Sequence, residues 1–378
     1  MEEITEEKLK TTKRQLFVYD ANKIKGIFIF TEEARNRLQI IYNQFQSNNP
    51  IMLEGPTGTS KTKTIHVYCD LQNLELIRIN LSSETTIEDL MGRLISDKDN
   101  SFSGFKYKEG AFADAYSKGK VLLLDEVNLA PNPVLQCMLT ALDSDKITQS
   151  IPGIGLKTFE RHKNFRIVAT QNPKIGAFSA TRDRLSSKFL ETFQVVEFPE
   201  FSASELSEIA HQVAKKQKYY NEKVIDQISR FHNEWVKSEF SKMSPQCYTV
   251  RDLNISIKSI SEGNSPKDVI SCFYGSRYDE TTYEIMENIL KKYPDLYKEC
   301  NTISDLPDDF PKCFQSSTIN KTFQFAKMGV ENGKHILLAG EEEIGLTQIA
   351  KWISSYFPKT KKKIFCSCLH QKQLLLIY

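Results

Sequence analysis

Apolar residues along this chain fall into two textures. Between residues 24 and 199, short runs that are apolar throughout alternate with segments of helical spacing; between 200 and 293 only the helical spacing remains. Continuous apolar runs predict strands covered on both faces, and strands separated by helices predict a parallel sheet. The runs are Ile24–Phe30, Ile51–Leu53, Leu74–Leu81, Val121–Leu124, Phe165–Thr170 and Phe193–Phe198. The first is read as a short strand outside the core and the other five as buried core strands. Thr31 is placed to cap a helix with Glu32 and Glu33 in its first turn and Ala34, Leu38, Ile41, Tyr42 and Phe45 on one face. Helices are also expected over Gly110–Ser117 and Pro133–Leu142, and inserted hairpins near residues 98–108 and 147–160.

Residues 1–23 are a polar lead-in. In the region 200–293, Ser202 and Glu205 have capping-box spacing. Leu206, Ile209, Ala210 and Val213 follow on one helical face, then Val224, Ile228, Phe231 and Trp235 on another. A third helix is expected from about Arg251, and a later one carries Ile285, Met286, Ile289, Leu290 and Tyr293. This pattern predicts a small helical domain. A Pro- and Asp-rich linker is expected over 294–314, and from 315 to 378 the opening arrangement repeats weakly. There a helix with Ile319, Phe323, Ala326 and Val330 leads into a strand at His335–Ala339, and Gly340–Thr347 has the spacing of a second phosphate-type loop.

Composition narrows the function classes. With 378 residues, a net charge of +2 and only local basic stretches such as Lys359–Lys363, the chain carries no direct nucleic-acid signal. Eight cysteines lie without metal spacing, which fits a reducing compartment. The acidic N-terminus is no signal peptide, and no apolar run reaches the roughly 20 residues of a membrane span. The expected location is intracellular, cytoplasmic or nuclear.

Candidate chemistry begins at Pro50–Thr64. A strand end, Ile51-Met52-Leu53, runs into Gly55-Pro56-Thr57-Gly58-Thr59-Ser60-Lys61-Thr62, which follows the phosphate-binding pattern G-x-x-x-x-G-K-[ST] except that Ser60 replaces the second glycine. Backbone N–H groups and a helix N-terminus suit a phosphate, Lys61 adds a full charge, and the Thr62 hydroxyl can ligate Mg²⁺. A second strand ends in two carboxylates: Asp125 is the candidate Mg²⁺ ligand and Glu126 the residue that polarises a water. Asn172, after the strand Phe165–Thr170, is the candidate holder of that water. In the second loop Leu346 stands where the lysine belongs, and Glu341, Glu342 and Glu343 repel phosphate.

Gly55–Thr62, Leu122–Pro131, Ala169–Pro173 and Thr249–Leu253 together resemble the AAA+ ATPases, in the dynein-related branch that includes midasin. Glu109-Gly110-Ala111 and the stretch from Asn80-Leu81-Ser82 to Asp89-Leu90-Met91-Gly92 strengthen the resemblance, which covers about residues 25–260. It implies an α/β P-loop fold with strand order 5-1-4-3-2, a nucleotide-binding domain over 24–199, a helical lid over 200–293, and a degenerate second module over 315–378. It further implies ATP and Mg²⁺ as cofactors and Arg251 as a lid arginine that senses the γ-phosphate. An arginine finger after the fourth strand would act on a neighbour's site. Lys188-Phe189 stands where the family has Arg-Phe, with Arg182 and Arg184 close by. The expected partners are neighbouring AAA+ modules in a ring, tandem or self-assembled, and a protein or ribonucleoprotein target of remodelling. A chain ending inside a second module reads as a fragment or truncated product. The competing expectations are a nucleotide-dependent scaffold without hydrolysis, favoured by Ser60, and a GTP-dependent subunit of a nuclease.

Overall fold

The computed structural model describes residues 28–96, 105–151, 155–172, 185–243, 248–275, 280–297, 317–332, 336–341, 364–369 and 372–377. Contacts divide the chain into two units, Met1–Phe201 and Ser202–Tyr378.

The first unit is built on a five-stranded sheet of β1 (Ile51–Glu54), β2 (Leu76–Asn80), β3 (Val121–Asp125), β4 (Arg166–Gln171) and β5 (Gln194–Glu197). All neighbours are parallel, and the spatial order is β2-β3-β4-β1-β5, which read from the other edge is the expected 5-1-4-3-2. Because side chains alternate along a strand, β3 feeds two cores. Val121 and Leu123 pack with Leu38, Ile41, Ile65 and Tyr68 of helices Glu32–Gln46 and Lys61–Gln72. Leu122 and Leu124 pack on the other face with Phe112, Tyr116, Val134, Met138 and Phe189. Every residue of β3 is buried, and a buried leucine contributes about 2 kcal/mol, so the central strands hold their carboxyl ends in fixed register.

Two of the five runs expected to be buried are only partly so. β2 alternates between half-buried and exposed residues and β5 buries only Val196, because both lie at sheet edges and lack a neighbour on one side. The outlying strand expected over 24–30 also differs. Residues 28–30 join no sheet, Phe28 and Phe30 instead packing edge to face at 5.1 Å beside the first core, and residues 24–27 fall outside the described set. Thr31 does cap its helix, accepting the Ala34 N–H at 3.1 Å. The hairpins pair Gly92–Ser96 with Phe105–Glu109 and Lys146–Ile151 with Gly155–Glu160. The first starts earlier than its sequence suggested, where Gly92 adopts φ +128°, a value that L side chains rarely take. A Lys157–Glu109 ion pair of 2.7 Å ties the two hairpins together.

The second unit contains helices Ala203–Ala214, Glu222–Lys237, Val250–Ser261, Pro266–Phe273 and Glu280–Leu290. Ser202 accepts the Glu205 N–H at 3.1 Å, and Thr249 with Asp252 forms a complete capping box for the third helix. Ile228, Phe231 and Trp235 are fully buried at helical spacing. Residues 294–297, expected to open a linker, form a helical turn instead. Leu296 is buried and Asp295 exchanges hydrogen bonds with Gln227 at 2.7 and 2.9 Å, so this turn belongs to the packed unit. Residues 298–316 lie outside the described set.

After helix Ser317–Glu331, strand Ile336–Glu341 pairs antiparallel with Lys372–Ile377, which pairs antiparallel with Ile364–Leu369. A second AAA+ module would start a parallel sheet here, so the described strands depart from that expectation. The short connection between the last two strands makes a hairpin, and hairpins are antiparallel. Gly340 and Glu341, read as loop residues, close the strand. The rest of that loop, 342–347, is outside the described residues, Glu342, Glu343 and Leu346 included, as are residues 348–363.

Candidate functional site

The carboxyl ends of β1, β3 and β4 lie side by side, and the polar residues singled out in the sequence converge there. Gly55 leaves β1 in close quarters: a Cβ on it would fall 1.9 Å from the Phe198 carbonyl oxygen, so only glycine fits. Gly58 takes φ +89°. Thr59 Oγ1 donates to the Pro56 carbonyl at 3.0 Å, closing the loop on itself. Ser60 takes φ +67° and ψ +17° immediately before helix Lys61–Gln72, the left-handed conformation that explains why the motif prefers glycine. Its carbonyl still accepts the Thr64 N–H at 2.8 Å.

Lys61 is 7% exposed, and its ammonium donates to Gly55 O at 2.6 Å, Pro56 O at 2.8 Å and Asn172 Oδ1 at 2.7 Å. Thr62 Oγ1 lies 3.1 Å from each carboxylate oxygen of Asp125. A hydroxyl and a carboxylate meeting at one point beside a phosphate-type loop are hard oxygen donors of the sort Mg²⁺ takes, so these residues fit that ion.

Asp125 is buried, and a buried carboxylate is costly unless its oxygens are satisfied. Thr170 Oγ1 donates to Oδ1, and Arg78 Nε and Nη2 donate to Oδ2 at 3.0 and 2.6 Å. Glu126 adopts φ +58°, an uncommon value for a residue with a side chain, and its N–H donates to Thr170 Oγ1 at 3.1 Å. Strain of this kind concentrates at functional sites. Asn172 joins the two halves: its Oδ1 accepts from Lys61, its Nδ2 donates to Glu126 Oε1, and its carbonyl accepts from Asn128 Nδ2 at 3.0 Å.

Lys61, Thr62, Asp125, Glu126 and Asn172 therefore form one hydrogen-bonded array. Sequence reasoning missed Arg78, Thr170 and Asn128. A lone charge in the amphipathic run Leu76–Asn80 reads as solvent-facing, while a single hydroxyl at the end of the apolar run Ile167–Ala169 was the available signal for Thr170. Arg182 and Arg184 lie outside the described residues. Lys188 is exposed on helix Ser187–Thr192 and pairs with Asp143 at 3.5 Å. Arg251 sits exposed in the first turn of Val250–Ser261, within the second unit.

Residues 50–189 match the family model described as AAA domain (dynein-related subfamily). The chain is 36% identical over 135 residues to a midasin of Dictyostelium discoideum, an alignment covering 36% of this chain and 2% of that protein. It is 32% identical over 144 residues to a midasin of Giardia intestinalis, covering 38% and 3%. It is also 28% identical over 165 residues to Protein CbbQ of Hydrogenophilus thermoluteolus, covering 43% and 58%. The chain thus spans only a small part of the two midasins.

Proposed function

The chain carries an AAA+ domain of the dynein-related, midasin-like branch across residues 50–189, and on that premise we propose that it binds ATP with Mg²⁺ and hydrolyses it. The observation that carries this reading is the array itself: the phosphate-type loop, the paired carboxylates and the polar end of β4 share hydrogen bonds through Lys61, Asp125 and Asn172. Lys61 exchanges loop carbonyls for phosphate oxygens as acceptors. When bound, Mg²⁺ neutralises phosphate charge, and Thr62 and Asp125 are the residues that would hold it. Glu126 takes up a proton from the attacking water, and Asn172, bonded to the same carboxylate, orients it. Nothing in the loop reads a base, so ATP over GTP rests on family likeness.

Residues 200–293 act as the lid, with Arg251 reaching the γ-phosphate. Arg182, Arg184 or Lys188 serves a neighbouring module in a ring, and the energy released remodels a macromolecular complex. Hydrolysis is tested apart from binding by Glu126→Gln, which keeps the Mg²⁺ ligand and removes the base. Titration with a fluorescent ATP analogue should show retained affinity, and single-turnover hydrolysis should slow by a factor on the order of 10² or more. Equal single-turnover rates in the two proteins would remove Glu126 from the chemistry. One observation favours the scaffold reading, the left-handed Ser60 in place of glycine. It predicts nucleotide binding with no turnover in either protein.

A further inference from the structure

Asp125 is already engaged by a cation of the chain's own. Arg78 is the third residue of β2, and its strand neighbours Ile77 and Ile79 pack into the core on the far face of the sheet. Alternation puts Arg78 on the other face, toward helix Lys61–Gln72 and the site. Its guanidinium places Nε at 3.0 Å and Nη2 at 2.6 Å on one oxygen, Asp125 Oδ2. Thr62 and Thr170 supply the remaining donors to that carboxylate. An ionised carboxylate offers about four acceptor positions, and these contacts occupy them.

The contacts differ in what a divalent ion would do to them. Thr62 and Thr170 are neutral hydroxyls and can stay beside a metal. Arg78 is a second positive charge on the same oxygen, and two cations at that separation repel. Its side chain is 47% exposed whereas that of Asp125 is 10% exposed, so the guanidinium can turn out to water while the carboxylate cannot follow. Lys61, another cation of the site, donates to Gly55 O, Pro56 O and Asn172 Oδ1.

We propose that Arg78 is a resident counter-ion that competes with Mg²⁺ for Asp125, so that metal loading requires the guanidinium to leave. The proposal rests on the nucleotide reading above and adds a positioning residue to it. Arg78 keeps the buried carboxylate compensated without metal and sets the Mg²⁺ concentration at which nucleotide binds tightly. A carboxylate that must first release a partner binds its ion more weakly, by the fraction of time it is free.

The test uses the full chain, a fluorescent, slowly hydrolysed ATP analogue and a Mg²⁺ titration. Arg78→Met, which keeps the aliphatic stem, should reach half-maximal tightening at about tenfold lower Mg²⁺ than wild type. Arg78→Lys, which replaces the two-pronged contact by a single point charge, should fall between. In thermal melts with Mg²⁺ alone, Arg78→Met should gain more stability from the metal than wild type. Should Arg78→Met fail to fold, the shift in Arg78→Lys decides. An unchanged or higher Mg²⁺ requirement in the folded variants overturns the competition while leaving the site assignment standing. Wild-type binding that ignores Mg²⁺ overturns both.

Discussion

Ser60 shows most directly how one residue sets the character of the loop. It holds φ +67° with a side chain attached, at a position where glycine costs nothing sterically. Ser60→Gly should relieve that strain, raising stability by about 1 kcal/mol and tightening nucleotide binding. Urea unfolding and titration with the ATP analogue measure the two effects, and a loss of stability would show that the serine is held by contacts that outweigh its strain. Most site residues were legible in the chain because their spacing follows from phosphate chemistry: Gly55, Lys61, Thr62, Asp125 and Asn172 all join the array. Arg78 was not legible, since its meaning depends on which strand β2 lies beside. Neither was Glu126's left-handed backbone, which no residue type announces.

Among the elements, helices and central strands followed their sequence patterns, and the departures have common causes. The apolar content of Leu74–Leu81 and Phe193–Phe198 suggested burial, yet both supply sheet edges; edge or centre is decided by strand order, not by the run itself. The close passage of Gly55 by Phe198 makes the β1–loop junction intolerant. Gly55→Ala should cost about 3 kcal/mol, at the upper end for overpacking, and lower the urea midpoint as well as abolish nucleotide binding. In the helical unit, His232 on Glu222–Lys237 is buried and shares a 2.7 Å hydrogen bond with the Tyr274 hydroxyl. Burial pushes its pKa down from 6.5 to about 4, with Asp252 opposing the shift. The unfolded chain therefore takes up this proton at a higher pH than the folded one. The stability contribution is full above pH 6.5 and is lost as pH falls toward 4, on the order of 3 kcal/mol in all. Urea midpoints measured from pH 7.5 to 4.5 should decline over that window, and a His232→Gln variant that folds should decline less.

At the level of the whole molecule, the first unit carries the array and the second carries the helices and the antiparallel sheet. The described part of the C-terminal region did not keep the parallel form suggested by its weak repeat. A glycine-spaced loop is a local pattern, whereas strand direction is set by which segments pair, and Lys372–Ile377 pairs with both neighbours. Among the described residues no helix is long and apolar enough to cross a membrane. If an arginine from another copy completes the site, turnover per chain should rise with protein concentration, because a missing arginine finger costs roughly 10³ or more in rate. Constant turnover per chain across a hundredfold dilution would show that no second copy is needed. On the proposed function, one nucleotide binds each chain at Lys61. Calorimetric titration with a slowly hydrolysed ATP analogue in the presence of Mg²⁺ addresses it directly. A single site in wild type and no detectable binding in Lys61→Ala are expected; a second site per chain, or unchanged affinity in Lys61→Ala, would overturn that reading.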